Sequence, residues 1–163
     1  MATRKYPGYG KSKGAADGFR TYDQGEYVMD VLSAKLTLDD ERNPRFLDKW
    51  EFKLVIREGP EQADDGKVPV GGQYTEFLYI MLPEHASAEE HGHIGVDQLK
   101  SIALACGVES KGDSPPDPDD FAGQTVRVYL KKKNEILKKD TKNAKAGDSI
   151  EKNEARRWRA FKE

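Results

Sequence analysis

The stretch Gly25–Leu38, GEYVMDVLSAKLTL, decides how the chain is read. It runs without proline from a glycine to Asp39-Asp40. Val28, Leu32, Ala34, Leu36 and Leu38 share one phase of a period-two pattern. Tyr27, Met29 and Val31 share the other, but only in the first half. That pattern predicts a strand apolar on both faces at its start and on one face later. Strands of this length bend, and a bent first strand is able to serve two halves of one sheet, as in a small barrel.

Working outward, Trp50–Arg57 (WEFKLVIR) alternates cleanly, with Trp50, Phe52, Leu54 and Ile56 on the core phase. Burial of each contributes roughly 1.5–3 kcal/mol. Gln73–Leu82 (QYTEFLYIML) reads as a third strand whose phase stays open. Either Tyr74, Leu78 and Ile80 point inward, with Glu76 awkwardly among them, or Phe77, Tyr79 and Met81 do. If Phe77 and Tyr79 face out, they form an aromatic platform beside Lys53 and Arg57. Val96–Cys106 reads as a helix with Val96, Leu99, Ile102, Ala103 and Cys106 on one face and Gly107 as its stop. Gln124–Lys133 (QTVRVYLKKK) is a fourth strand. Val126, Val128 and Leu130 point one way, and Arg127, Tyr129, Lys131 and Lys133 the other. Phe121, just before it, is expected to plug one end of the core. Ile150–Phe161 (IEKNEARRWRAF) reads as a short helix or, preferably, a fifth strand. Paired with the fourth, it would bring Arg156, Arg157, Trp158 and Arg159 beside Arg127, Tyr129 and Lys131.

The chain has 163 residues, 36% hydrophobic and 34% charged, which predicts one modest domain with charged surface or tails. A single cysteine, Cys106, excludes an internal disulfide and fits a reducing compartment. No apolar run approaches the ~18 residues of a membrane span, and no apolar signal core opens the chain. A soluble cytoplasmic protein is expected. The net charge of −2 hides an asymmetry: residues 1–22 carry +4, residues 23–126 carry −13, and residues 127–163 carry +7. Basic ends point to a polyanionic partner. Residues 1–22 have no apolar period and read as a flexible basic arm, leaving 23–163 as the folded domain. Tyr6, Tyr9, Phe19 and Tyr22 interleave there with Lys5, Lys11, Lys13 and Arg20. Gly10-Lys11-Ser12 is not a phosphate loop, because Lys5 stands where the earlier glycine belongs and no strand precedes it.

His85, His91 and His93 fall in the loop-like stretch Pro83–Gly95. With Glu84, Glu89 and Glu90 they offer a metal-dependent hydrolase as an alternative, but their spacing matches no closed zinc site. No triad, paired-carboxylate constellation or phosphate loop is visible, so neither an enzyme nor a cofactor is expected. The acidic run Asp117–Asp120 lacks the ligand spacing of a calcium loop.

The order strand, strand, strand, helix, strand, strand is that of the OB-fold. The expected fold is therefore mainly β: a five-stranded OB-fold barrel with one helix between strands three and four. From Gly25 to about Phe161 the chain resembles a family of small bacteriophage OB-fold proteins that bind single-stranded DNA. The likeness rests on GEYVMDVLSAKL, WEFKLVIREGP, LKSIALACGV and FAGQTVRVYLKKK. It implies non-sequence-specific binding of single-stranded DNA in phage replication, recombination or repair, in the host cytoplasm, alongside phage replication or recombination proteins. Many such proteins end in an acidic, partner-recruiting tail; this chain ends RRWRAFKE. Cations neutralise phosphates and rings stack on bases. Arg127, Tyr129, Lys131, Arg156, Arg157, Trp158 and Arg159 are the expected contacts, with Lys53, Arg57, Phe77 and Tyr79 behind them. A protein-interaction or virion structural module on the same barrel is the other alternative.

Overall fold

The structure is a computed structural model, and it describes residues 21–38, 48–80, 88–108, 110, 112–136, 145–147 and 149–162. Its elements are β1 (Gly25–Leu38), β2 (Asp48–Glu58), β3 (Gln73–Ile80), helix α1 (Ala88–Cys106), a 3-10 turn at Pro118–Asp120, β4 (Thr125–Ile136) and β5 (Ser149–Ala160). The strands form one antiparallel five-stranded sheet in the order β3-β2-β1-β4-β5. The last segment is thus a strand, as preferred from its sequence.

The two phases of β1 have a structural cause. Tyr27, Met29 and Val31 are buried on the inner face. The register against β2 then slips between Val31 and Ser33, which makes Leu32 an extra, unpaired residue that is 50% exposed. Beyond that bulge the even residues turn inward, and Ala34 and Leu36 pack on the core. β1 pairs with β2 from Val28 to Leu38 but with β4 only from Gly25 to Asp30. The Gly123 N–H donates to the Val31 carbonyl at 2.8 Å where β4 takes over.

The inner faces supply the core. Trp50, Phe52, Leu54 and Ile56 of β2 and Val126, Val128 and Leu130 of β4 are all buried. Phe121 does plug the core: it is fully buried, edge-on to Trp50 and Phe52 at centroid separations of 5.9 and 5.1 Å. In β3 the inward set is Tyr74 and Leu78, with Ile80 half-buried, so Phe77 and Tyr79 face out. The Tyr74 hydroxyl donates to the Glu76 carboxylate, which makes that carboxylate tolerable on the core phase.

Helix α1 begins eight residues before the expected start, so His91 and His93 are helical and not in a loop; His85 lies outside the described residues. Leu99, Ile102, Ala103 and Cys106 are buried, but Val96 is 47% exposed and off the expected face. Gly107, at φ 70°, ends the helix: its N–H donates to Leu104 O and the Val108 N–H to Ala103 O.

The sheet is not closed among the described residues. Its edges, β3 and β5, do not pair, and α1 packs against both. Side chains bridge the edges instead. The Tyr74 hydroxyl oxygen accepts from the Ala155 backbone. The Tyr22 N–H donates to Asn153 Oδ1 at 2.7 Å, and the Tyr22 hydroxyl donates to Gln73 O at 2.9 Å. Tyr22 is 2% exposed and belongs to the core, not to an arm. Thr21 is also tied down, its hydroxyl donating to Glu151 O at 3.3 Å, and residues 1–20 of the expected arm lie outside the described residues.

Gly95 is where α1 meets β3. A Cβ built there would stand 2.3 Å from the Tyr79 carbonyl oxygen, which is backbone and has nowhere to go. Glycine to alanine inside a helix ordinarily gains about 1 kcal/mol. Here the overpacking penalty of about 1–3 kcal/mol opposes and exceeds that gain. Gly95→Ala is expected to lower the thermal midpoint by several degrees, whereas Gly→Ala at an open helical site would raise it; differential scanning calorimetry reads the sign.

Candidate nucleic-acid interface

The register of β4 against β5 sorts the basic residues. Arg127 pairs with Arg159, Tyr129 with Arg157, and Lys131 with Glu154; these lie on the outer face. Val128 pairs with Trp158 and Leu130 with Ala155 on the inner face. A register slip at Tyr129/Leu130 leaves Arg156 as the extra residue of a bulge. Arg127, Tyr129, Lys131, Arg157 and Arg159 are therefore brought together, as expected. Trp158 is not with them: it is half-buried, packs on the core, and projects from the side of the ribbon opposite Tyr129. The reason is parity. Neighbours along a strand point to opposite faces, so the arginines flanking Trp158 are the residues it cannot accompany.

The outer face of this ribbon is partly self-neutralised. The Arg157 guanidinium lies over the Tyr129 ring, 5.9 Å from its centroid. Arg127 pairs with Glu26 at 3.3 Å, and Arg156 with Glu154 at 3.3 Å. On the opposite parity, Lys132 bonds Asp23 at 2.9 Å and lies 3.6 Å from Glu151; the Asp23 bond raises its pKa first, with Glu151 adding to it. Such exposed pairs are worth only about 0–1 kcal/mol, so a phosphate competes with them readily. Among the described residues, Lys131, Lys133 and Arg159 form no ion pair.

Sequence reasoning missed Phe161. Its ring carries the Arg127 guanidinium at 5.2 Å and that of Arg57 at 5.6 Å. Beside this cluster Val28, on the outward parity opposite Arg127, is only 3% exposed. The signal was available: Phe161 extends the outward series Arg157, Arg159 by one period. Arg57 also pairs with Asp30 at 3.8 Å. It therefore sits at the β4 side of the sheet, away from the Phe77 platform expected to adjoin it.

Phe77, Tyr79 and Lys53 share the outer face of β2–β3. Phe77 is 39% exposed, and the cation over it is Lys49 at 4.7 Å. This patch is separated from Tyr129 by β1, so the two sets do not make one platform.

On the helix side of β5 lies a groove of about 340 Å³, which sequence reasoning also missed. Asp97, Gln98 and Ser101 of α1 line one wall, and Arg156, Arg157, Trp158 and Arg159 of β5 the other. A second cavity of about 510 Å³, floored by Trp50, Ile80 and Leu99, lies under the 110–116 loop. Among the described residues no group of His, Cys, Asp or Glu is placed to hold a metal ion. No described helix is long and apolar enough to cross a membrane. Burial pushes the Cys106 thiol up to about 12, which suits a packing residue and not a nucleophile.

No protein-family model matches the chain, and no curated protein does.

The β3–β5 seam carries a titrating group. Burial raises the Glu76 carboxyl from 4.5 to about 7; the Tyr74 hydrogen bond opposes the rise, Glu154 adds to it, and Lys152 opposes it. The folded state therefore holds a proton that the unfolded chain has released. Stability from this site is complete below pH 4.5 and falls as pH rises toward 7, beyond which it is flat. Glu76→Gln is expected to remove about 1–3 kcal/mol of that fall. Denaturant melts of both proteins at pH 5 and pH 8 measure it, and parallel losses in the two would refute the assignment.

Proposed function

We propose that this protein binds single-stranded DNA without sequence preference, on the outer face of the β4–β5 ribbon. The observation that carries the reading is the in-register gathering of Arg127, Tyr129, Lys131, Arg157 and Arg159 on one face of two paired strands. Two antiparallel strands space such groups several ångströms apart along and across the ribbon. That spacing lets guanidinium and ammonium groups meet successive phosphates. Tyr129 offers a ring on which a base replaces the Arg157 guanidinium. A single strand exposes its bases to such a ring, whereas a duplex keeps them stacked on each other. The chain as a whole is weakly acidic at −2, so attraction has to come from this local patch and not from net charge.

The strand order β3-β2-β1-β4-β5 fits an OB-type barrel opened between its third and fifth strands. The resemblance to phage single-stranded DNA-binding proteins gives the context: replication, recombination or repair of phage DNA, beside the proteins that perform it. Lys53, Phe77, Tyr79 and Lys49 make a second, smaller contact patch that a longer strand reaches across β1.

Fluorescence anisotropy with labelled oligo-dT at two salt concentrations tests this. For about four phosphate contacts, one per cation of the face, the slope of log K against log salt is expected near −2.8. Replacing Lys131 and Arg159 by alanine flattens that slope by about 1.4. Tyr129→Ala weakens binding by about 1–3 kcal/mol and leaves the slope alone. Absence of binding at low salt removes the proposal and favours a protein-binding role for the barrel. Equal affinity for duplex reduces the face to a generic polycation.

A further inference from the structure

The groove between α1 and β5 combines groups from both faces of the sheet. Arg157 and Arg159 belong to the outer face, Trp158 to the inner face, and Arg156 to the bulge between the two registers. All four line the same groove. β5 is the last strand of the sheet, so side chains of either parity border its edge where α1 packs beside it. The opposite wall supplies Asp97, a carboxylate acceptor, Gln98, whose amide both donates and accepts, and the Ser101 hydroxyl. The volume, about 340 Å³, lies at the small-molecule end of ligand sites.

We propose that this groove is a nucleobase pocket: one base of the bound strand leaves the outer face, passes over the β5 edge and stacks on Trp158, its phosphate held by the groove's arginines. The proposal rests on the polynucleotide reading of the ribbon and adds a second, separable contact to it. An aromatic wall calls for a flat ligand, Arg159, which forms no ion pair among the described residues, calls for an anion beside it, and the carboxylate and amide opposite match the donor and acceptor edge of a base. A bare phosphate would leave the indole and the Gln98 wall unused. A peptide carboxylate would leave the aromatic wall unfilled.

Fluorescence of the full-length protein reads this site directly, since Trp50 is 2% exposed and only Trp158 is open to a quencher. The probes are a dT oligomer of about ten nucleotides, within the usual site size, and an abasic oligomer with the same number of phosphates. The dT oligomer is expected to quench tryptophan emission; the abasic one is expected to bind without quenching. Trp158→Leu should weaken dT binding about tenfold, with the salt slope and the abasic affinity unchanged. Ser101→Phe, at an exposed helix position, fills the groove without touching the core, and should lose the same affinity and the quenching. If dT binds without quenching and both variants bind it as the wild type does, the base pocket is wrong and the ribbon reading survives. If neither oligomer binds at low salt, the ribbon reading fails and this inference falls with it.

Discussion

β1 has to bury side chains of opposite parity in its two halves, and the rest of the sheet depends on how it does so. Tyr27, Met29 and Val31 face the core between β2 and β4, while Ala34 and Leu36 face it where only β2 remains beside them. A regular strand presents one parity to one face throughout. The bulge at Leu32 removes the conflict by adding one residue. It leaves an exposed leucine, and in return both halves keep a continuous inner face. The companion slip on β2 at Arg57 turns that guanidinium toward Phe161 and the β4 side.

An open sheet has two edges to satisfy, and here polar side chains meet that demand. Tyr22, Asn153 and Tyr74 reach backbone groups across the gap between β3 and β5, and α1 covers the remainder. Unpaired edge groups invite pairing with another chain, so covering them guards against association as well as sealing the core. Close approach of the helix requires Gly95, and the hydroxyl at the seam is what lets Glu76 lie on a core-facing phase.

Local alternation made the strands legible, and long-range pairing decided what it could not. Trp50–Ile56 and Val126–Leu130 read correctly because one face of each is wholly apolar. The phase of β3 stayed open because Tyr74 and Glu76 satisfy each other, and a hydrogen bond two residues apart leaves no hydrophobic signature. The helix ran eight residues longer than its amphipathic stretch because Ala88–Gly95 carries little apolar periodicity. Trp158 was placed with its arginine neighbours from their adjacency in sequence, although a strand separates adjacent residues by a face. The parity needed to see this follows from the strand reading that the sequence already favoured. The Phe161 cluster depended on Arg57 arriving from β2 through a bulge, which no local pattern announces.

The same parity rule that separates Trp158 from Tyr129 gives β5 its two chemistries. In an interior strand the two faces are isolated by neighbours on both sides, and a ligand meets one set of side chains or the other. β5 has a neighbour on one side only, so its edge joins the faces. Arg157 and Arg159, which lie outward, still line the groove that holds the inward tryptophan. The bulge at Arg156 widens the reach by placing one more cation where the faces meet. Cationic and aromatic groups therefore meet at the margin of the sheet as well as on its outer face.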